Sequence, residues 1–384
     1  MAGSILEIVP FYRAMNEKVQ PIAQARVAWV AHGGLVKRGD GQYVPALVSL
    51  FEHLSRRFSV DRVCFGNPSE SLPGVERVAP QRHVFAQIWG LKQRLIRMHR
   101  QQPLSLIHGI WGYPGGAAAV WAARSLGIPC VVTFNGFEPA CLPDIGYGGQ
   151  LTWWSRRLLK WVCRHADMIV FPSQDQKART LGCVGTMDRN SVVSYGIPWQ
   201  QFEGPVRIPH QPLRVLSVGS VNRVKDYLTL LEAVLQVSQT VPLEWRIVGG
   251  AVERDVVQKL TSHPFVDWVA EVLPDRMPEH YKWADLLLHG SRHESQGVVF
   301  VEAGAAGIPI AGTRVGLLRD WSEWLPTCEP RDVAGLAELI VELSGDAQQV
   351  KQITTRIQDQ TKQLTVVAAG QAYEKIYSML LSRE

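Results

Sequence analysis

The chain has 384 residues, enough for two domains that each bury a core, because single domains typically hold about 100 to 200 residues. With 46% hydrophobic and 20% charged residues it has an ordinary globular composition, and no low-complexity segment or solenoid repeat interrupts it. The net charge of +5 divides unevenly, since residues 1–205 carry +9 and residues 206–384 carry −4. Nucleic acid, an anionic membrane or an anionic substrate would each suit such a basic half, and charge alone does not choose among them.

The cysteines and the first segment bear on the compartment. The six cysteines are scattered, with no CxxC pair and no histidine at zinc-ligand spacing, so we expect free thiols in a reducing cytosol. Charged residues interrupt residues 1–24, and no apolar run approaches the ~20 residues that a membrane span requires. We therefore expect a cytoplasmic protein without a secretion signal or a span.

Strand-like and helix-like patterns alternate along the chain in two series. The predicted strands of the first series are 27–31, 60–65, 104–108, 129–134 and 168–172, with predicted helices at 45–58, 86–100, 115–126 and 151–165. Three prolines within 204–212 predict a linker. The predicted strands of the second series are 213–218, 245–248, 266–268, 285–289 and 308–311. This alternation predicts an α/β fold with two doubly wound parallel sheets, whose strand ends face each other across a ligand-binding cleft.

The segment 291–309 carries the most specific pattern in the sequence. Glu294 and Glu302 flank Gly297, and a helix of small residues is predicted from near Gly297 to Gly307. The free N–H groups at the start of such a helix can hold a phosphate. Glu302, about one turn into the helix, would then accept hydrogen bonds from ribose hydroxyls, and Glu294 would reach the hydroxyls of a transferred sugar.

With its E-x7-E spacing, this segment resembles the retaining GT-B glycosyltransferases of family GT4. Residues 218–226, VGSVNRVKD, are similar to the family's phosphate-binding strand and loop. Blocks of the family's acceptor domain are similar to residues 106–116, 129–136, 166–173 and 195–202. The resemblance covers nearly the whole chain and implies two Rossmann-like domains facing a central cleft. Its implied parts are an acceptor-binding domain at 1–204, a linker at 205–212, a nucleotide-sugar-binding domain at 213–365 and a last helix at 366–384 that crosses back to the first domain.

The resemblance implies an activity and assigns residues to it. The implied reaction moves a hexose-type sugar from a UDP-, GDP- or ADP-linked donor to a glycan, lipid-linked or small-molecule acceptor, with retention at the anomeric carbon. No cofactor and no metal are implied, and the sequence contains no DxD motif. The implied catalytic residues are Glu294, Lys225 and Asn135. The implied donor-binding residues are Gly33, Gly34, Gly219, Arg223, Lys225, Glu294, Gly297, Val298, Val299 and Glu302, and Asp40 is the implied acceptor contact.

Two positions depart from the family pattern. Ser220 stands where the family usually has arginine, and Asn135 stands where it usually has histidine; an amide can hydrogen-bond a sugar but does not titrate near neutral pH. These departures keep open a second hypothesis, a sugar-nucleotide-binding protein or partner subunit with weakened turnover. A dinucleotide-dependent dehydrogenase is disfavoured because no strand leads into a GxGxxG helix start, and no nucleic-acid-reading motif is present.

Residues 151–164 predict a basic, tryptophan-rich amphipathic helix. Its apolar side comprises Leu151, Trp154, Leu158, Trp161 and Val162, and its other side comprises Trp153, Arg156, Arg157, Lys160 and Arg164. A second basic cluster comprises Lys92, Arg94, Arg97 and Arg100. The pattern fits peripheral binding to an anionic inner membrane surface, at about 1 kcal/mol per cation, and it equally fits packing of the apolar side on the protein's own sheet.

Overall fold

The computed structural model describes residues 25–33, 35, 44–66 and 74–382. Within these ranges the chain forms one parallel sheet of seven strands and a second of five. In each sheet a helix joins most pairs of successive strands, as parallel pairing requires. The predicted α/β class, with two parallel sheets in two successive series, is confirmed.

The first sheet contains β1 (Arg26–Val30), β2 (Ser59–Phe65), β3 (Val75–Val78), β4 (Leu106–Ile110), β5 (Cys130–Thr133), β6 (Met168–Phe171) and β7 (Asn190–Val192), in the order β3-β2-β1-β4-β5-β6-β7. Its helices are α1 (Pro45–Leu54), α2 (Val84–Gln101), α3 (Ala117–Leu126), α4 (Trp153–His165) and α5 (Gln174–Val184). A short helix, α6 (Trp199–Phe202), follows β7 but packs into the core of the second domain, where Trp199 and Phe202 are buried. Every residue of β4, β5 and β6 is buried, because helices cover both faces of the sheet. The sequence patterns did not single out β3 and β7, two short edge strands with mostly half-buried residues and no continuous apolar run.

The second sheet contains β8 (Leu213–Val218), β9 (Leu243–Val248), β10 (Val266–Val269), β11 (Leu286–His289) and β12 (Ile310–Gly312), in the order β10-β9-β8-β11-β12. The helices of this part are α7 (Tyr227–Val237), α8 (Arg254–Thr261), α9 (Met277–Trp283), α10 (Val298–Ala306), α11 (Leu317–Asp320), α12 (Val333–Glu342), α13 (Ala347–Thr361) and α14 (Val366–Leu381). The proline-rich segment 205–212 runs between β7 and β8.

The last helix, α14, packs against the first sheet rather than the second. Its Tyr377 hydroxyl accepts a hydrogen bond from Trp29 Nε1 on β1 at 2.9 Å and lies 2.6 Å from His108 Nδ1 on β4. The Tyr373 hydroxyl lies 2.8 Å from Thr133 Oγ1 at the end of β5. Buried side chains of three strands therefore hold this helix. Burial also lowers the pKa of His108 to about 3, so the ring is neutral in this network.

The two halves meet along the carboxyl ends of their strands. The Asp320 carboxylate of α11 accepts N–H bonds from Gln174 at 2.9 Å and Asp175 at 2.8 Å, at the start of α5. In return, Asp175 accepts the N–H of Gly316 at 3.1 Å. Arg292 binds Asp144 through two hydrogen bonds of 2.7 and 2.9 Å. These contacts join the two halves across the cleft, so that both sheet edges contribute to one site.

Candidate active site

The loop between β11 and α10 forms the centre of the cleft. His293 Nε2 lies 2.6 Å from the carbonyl oxygen of Gly136, just after β5. The Gln296 side chain accepts the N–H of Tyr195 at 2.6 Å and donates to the Tyr195 carbonyl at 2.9 Å, just after β7. Ser173, after β6, donates its hydroxyl to the Ser295 carbonyl. The loop that carries Glu294 is therefore attached to three strand ends of the opposite domain.

Glu294 lies in a cluster of polar groups that all contact the same carboxylate oxygen. Its Oε1 accepts hydrogen bonds from the Lys225 ammonium and from Ser291 Oγ at 2.9 Å, and it lies 3.1 Å from His289 Nε2. Burial alone would raise the pKa of Glu294, but Lys225 and His289 outweigh it and hold that pKa below its usual range. Glu294 is therefore a carboxylate at neutral pH, and among the described residues no hydrogen bond engages its Oε2.

Lys225 reaches Glu294 because of the turn after β8. The Asn222 side-chain oxygen accepts the backbone N–H groups of Val224 and Lys225, both at 3.0 Å, which fixes the turn. The lysine stem then crosses Gly219, whose φ is +141°. A Cβ on Gly219 would lie 3.1 Å from Lys225 Cε, so the glycine gives the lysine its route to the cleft.

Helix α10 begins at Val298 with no side chain capping its first turn. Gly297 precedes it with φ +81°, and a Cβ there would lie 2.1 Å from the Phe300 ring. Only glycine therefore suits this position. The Phe300 N–H donates to the Gly297 carbonyl at 3.0 Å, whereas the N–H groups of Val298 and Val299 have no partner among the described residues and can bind an anion.

Glu302 lies one turn further along α10, and its environment differs from that of Glu294. Its Oε2 accepts a hydrogen bond of 2.6 Å from the hydroxyl of Tyr281, a fully buried residue on α9. Burial raises the pKa of Glu302 to about 7, although the Tyr281 hydrogen bond opposes this rise. Of the two glutamates in this motif, Glu294 therefore has a lowered pKa and Glu302 a raised pKa.

Glu138 organises the first-domain side of the cleft. It is 1% exposed, and its carboxylate accepts the N–H groups of Gly112 at 2.7 Å, Gly136 at 2.9 Å and Asn135 at 3.3 Å. Burial raises the pKa of Glu138, and the backbone N–H groups oppose that rise. The Asn135 side-chain oxygen accepts the Tyr195 hydroxyl, whereas its buried Nδ2 has no partner in the described part of the chain. The amide N–H group of Asn135 is thus buried beside the cleft with its hydrogen-bonding capacity unused within the described residues.

The residues implied by the resemblance fall into three groups. Around the second-domain side of the cleft the structure gathers Lys225, Gly219, Glu294, Gly297, Val298, Val299 and Glu302, and it places Asn135 opposite them. Arg223 instead forms an exposed ion pair with Glu253 at 2.7 Å. Gly33 follows β1, whereas Gly34 and Asp40 lie outside the described residues.

Several residues that shape this site had no role predicted from the sequence. They are Glu138, Tyr195, Tyr281, His289 and Gln296. Tyr195 and Gln296 lie inside or beside the quoted motif blocks, and Glu138 follows Asn135 by three positions, so attention to neighbours could have identified them. Nothing local marks Tyr281, which meets Glu302 only through the packing of α9 on α10.

The structure also bears on metal binding and membrane spans. In the ranges that can be described, no group of three or more His, Cys, Asp or Glu side chains is arranged to hold a metal ion. Over the same ranges, no helix combines the length and apolar character that crossing a bilayer requires.

Known structures share this fold over nearly the entire chain. Sucrose-phosphate synthase from Thermosynechococcus elongatus superimposes with a TM-score of 0.78 at 18% identity, covering 94% of this chain and 100% of the other. Anabaena Alr3699/HepE, solved in complex with UDP-glucose, has a TM-score of 0.74 at 18% identity, covering 92% and 99%. The fold and the paired strand edges define a protein of the GT-B class.

Sequence comparisons identify the family within that class. Residues 46–200 match the profile described as Glycosyltransferase Family 4, and residues 212–346 match the one described as Glycosyl transferases group 1. The chain belongs to this family, family 4 of the glycosyltransferases, as its motifs indicated.

Curated relatives are distant. N-acetyl-alpha-D-glucosaminyl L-malate synthase of Bacillus anthracis is 25% identical over 75% of this chain and 78% of its own length. Sulfoquinovosyl transferase SQD2 of Arabidopsis thaliana is 24% identical over 68% of this chain. The chain spans about half the length of that relative, 51%.

Proposed function

We propose that this protein is a retaining glycosyltransferase, which moves a hexose-type sugar from a nucleotide-diphosphate sugar to a glycan, lipid-linked or small-molecule acceptor without a metal ion. One observation carries the proposal. Lys225, Glu294, Glu302 and the start of α10 converge on one side of a cleft, opposite the Asn135 amide; in the described part of the chain no side chain caps that helix start and no group pairs with the amide N–H. Each of these groups suits a different part of such a donor.

The diphosphate and the ribose would bind to the second domain. An ammonium group has three N–H donors, so Lys225 can keep its bond to Glu294 and still donate to phosphate oxygens. The uncapped first turn of α10 adds backbone N–H groups and the positive end of the helix dipole. Glu302, held by Tyr281, would accept hydrogen bonds from the ribose hydroxyls when ionised.

The transferred sugar would lie between the two domains. Glu294 Oε1 is occupied by its three polar neighbours, which leaves Oε2 for a sugar hydroxyl. From the other side, Asn135 Nδ2 would donate to a second hydroxyl, because its own oxygen is already bonded to Tyr195. The sugar ring would then be fixed with its anomeric carbon next to the diphosphate.

Catalysis would be mainly electrostatic. As the glycosidic bond breaks, negative charge grows on the departing diphosphate, so Lys225 and the start of α10 bind the transition state better than the ground state. The departing phosphate oxygen would accept the proton of the incoming acceptor hydroxyl on the same face of the sugar, which gives retention of configuration. The charge on Lys225 and the helix N-terminus supply the neutralisation for which other glycosyltransferases use a divalent cation.

The test is thermal stabilisation by UDP, GDP, ADP and their sugars, with and without EDTA, followed by analysis of the anomeric configuration of any product. A ligand at 100 times its Kd adds about 2.7 kcal/mol to folded-state stability, which gives a clear melting shift. We expect one nucleotide series to stabilise the wild type, with EDTA having no effect, and Glu302→Ala and Lys225→Ala to lose the response.

The matched control is Lys259→Ala, which removes an exposed cation of α8 outside the cleft and should keep the full response. If the donor binds but is neither transferred nor hydrolysed, the chain is a weakened sugar-nucleotide-binding protein or partner subunit rather than an active enzyme. If no nucleotide stabilises the protein, the donor site is wrongly assigned.

We also propose a cytoplasmic location, with peripheral attachment at the inner membrane face. All six cysteines are free thiols, three of them buried, which suits a reducing compartment. Cell fractionation under low-salt and high-salt conditions tests this location, because salt should release an electrostatically attached protein from the membrane fraction.

A further inference from the structure

Three neighbouring helices of the first domain expose aromatic side chains. Phe85 and Trp89 on α2, Trp121 on α3 and Trp153 on α4 are 59%, 51%, 38% and 71% exposed. These four are the only exposed large aromatic side chains in the described part of the chain, and they share one surface because α3 packs against both α2 and α4. Exposed aromatic clusters on a globular protein mark interaction sites.

All charged side chains on the same three helices are cations. Together they contain Lys92, Arg94, Arg97, Arg100, Arg124, Arg156, Arg157, Lys160 and Arg164 and no Asp or Glu. Within the described ranges, only Arg94 of this set forms an ion pair, with Glu76. We call this surface of α2, α3 and α4, with its four aromatic side chains and the eight cations other than Arg94, the aromatic basic face.

The apolar side of α4 does not contribute to this face. Of the predicted apolar side, Val162 is buried in the core of the first domain beside Leu159, and Leu158 and Trp161 pack against that core. This side therefore packs on the protein's own domain, as one of the two sequence-based alternatives held. Arg156, Arg157, Lys160 and Arg164 project outward instead, with Trp153 at the start of the helix. The surface offered to a partner is therefore the cationic side of α4.

The rings of this face are held in fixed positions by cations and by one another. Trp89 and Trp121 meet edge to face with centroids 5.5 Å apart, and Lys92 Nζ lies 4.1 Å from the Trp121 centroid and 5.1 Å from that of Trp89. The Arg157 guanidinium lies 5.9 Å from the Trp153 centroid. Indole rings beside cations match the boundary of a bilayer, where the ring enters the headgroup layer and the cation meets a phosphate.

We propose that the aromatic basic face docks the protein on an anionic lipid bilayer. Phe85, Trp89, Trp121 and Trp153 enter the interfacial layer, and the surrounding cations contact lipid phosphates. Single-stranded nucleic acid is the other polyanion that basic, aromatic surfaces bind, by stacking bases on ring faces. Here Lys92 or Arg157 already covers one face of each of the three tryptophans, which favours insertion at a bilayer over base stacking.

The position of the aromatic basic face also relates docking to the binding of an acceptor. Ring contacts run from Phe85 to Trp154 at 5.7 Å, on to Tyr113 at 5.7 Å, and then through Phe137 and Tyr147 to His293 beside Glu294. A continuous series of ring contacts therefore joins the aromatic basic face to the edge of the cleft, and a lipid-linked acceptor could follow this route from the bilayer to the site. The choice of acceptor rests on the proposed transfer reaction, whereas docking itself does not.

Co-sedimentation of the full chain with vesicles tests the proposal. We expect low-salt binding to vesicles of phosphatidylglycerol and phosphatidylcholine, and little binding to phosphatidylcholine alone. The triple substitution Arg157→Gln, Lys160→Gln and Arg164→Gln should weaken the partition coefficient about 100-fold, at roughly 5-fold per cation. The pair Phe85→Ser and Trp153→Ser should weaken it roughly 10-fold.

The control is the triple substitution Lys259→Gln, Lys282→Gln and Lys351→Gln, which removes the same charge from exposed positions of the second domain. It should bind like the wild type. Nucleotide-induced melting shifts, measured in parallel, confirm folding of each variant and separate a failure of docking from a failure of the donor site. Three outcomes would overturn the proposal. The control triple substitution could weaken vesicle binding as much as the α4 triple substitution does, or the loss of the two aromatic side chains could leave binding unchanged. The third is binding to an RNA oligonucleotide but not to vesicles.

Discussion

The two sides of the cleft each bury a carboxylate close to the expected sugar position, but they stabilise it by different means. On the second-domain side, Glu294 is paired with the ammonium of Lys225 and contacts His289. On the first-domain side, Glu138 is held by three backbone N–H groups and, within the described residues, by no cation. An ion pair can share its cation with an incoming diphosphate, whereas backbone N–H groups shape a turn. The first arrangement therefore suits ligand binding, and the second suits rigid placement of Asn135.

The largest effect should follow from removing the cation. Lys225→Ala should lower kcat/KM for the donor roughly 100- to 1000-fold, because the leaving diphosphate loses a charged hydrogen-bond donor. Steady-state kinetics with the donor found by thermal shift provide the measurement. The exposed Arg223, which pairs with Glu253, is the comparison, and Arg223→Ala should change kcat/KM by less than about 5-fold. Equal losses in the two variants would contradict the placement of Lys225 at the diphosphate.

Glu138→Gln should mainly affect stability. The substitution replaces one accepting oxygen by an NH₂ group that faces backbone N–H donors, so at least one buried donor loses its partner. We expect a loss of about 2 to 3 kcal/mol in the free energy of unfolding, measured by urea denaturation at pH 7. Glu203→Gln, at an exposed position of the same half, should cost less than about 0.5 kcal/mol. A neutral result for Glu138→Gln would show that the turn does not depend on the carboxylate.

Glu302 should make both stability and donor binding depend on pH. Its folded-state pKa of about 7 lies above the ordinary value of 4.5, so the folded state retains a proton that the unfolded state releases. Stability from this group therefore falls as pH rises from about 4.5 to 7 and is constant outside that window. Glu302→Gln should remove this slope and gain about 1 to 2 kcal/mol relative to the wild type at pH 8.

Donor affinity should change in the opposite sense, because the ribose hydroxyls need the ionised carboxylate. In the wild type we expect the affinity for the nucleotide to rise as pH increases through about 7, where Glu302 ionises. Glu302→Gln should bind more weakly at pH 8 and show no such rise. Titration calorimetry at several pH values measures this, and a pH-dependent rise that persists in the variant would assign it to another group.

The smallest effect should come from Tyr281→Phe. The hydroxyl donates to Glu302 and lowers its pKa, so its loss should cost about 1 kcal/mol of stability and move the midpoint of the pH-dependent affinity upward. The same calorimetric series detects this shift. If stability falls but the midpoint does not move, Tyr281 packs beside Glu302 without affecting its pKa.

Much of this architecture was predictable from the sequence. Buried parallel strands such as β5 and β6 are nearly continuous apolar runs in the sequence, and the glycines at 219 and 297 occupy positions that require backbone space. Glu294 and Glu302 were recognisable because their spacing follows from one loop and one helix turn. These features depend on contacts between residues close in the chain, and local patterns record such contacts.

Only the tertiary structure determined the pKa values of those residues. Glu294 acquires a lowered pKa from Lys225, which lies 69 positions earlier in the chain, and Glu302 acquires a raised pKa from burial beside Tyr281. The same holds for the aromatic basic face, since the sequence indicated cations on two separate helices but not that α3 brings Trp121 between them. Protonation and surface chemistry depend on distances between segments, and those distances exist only once the sheets and helices have packed.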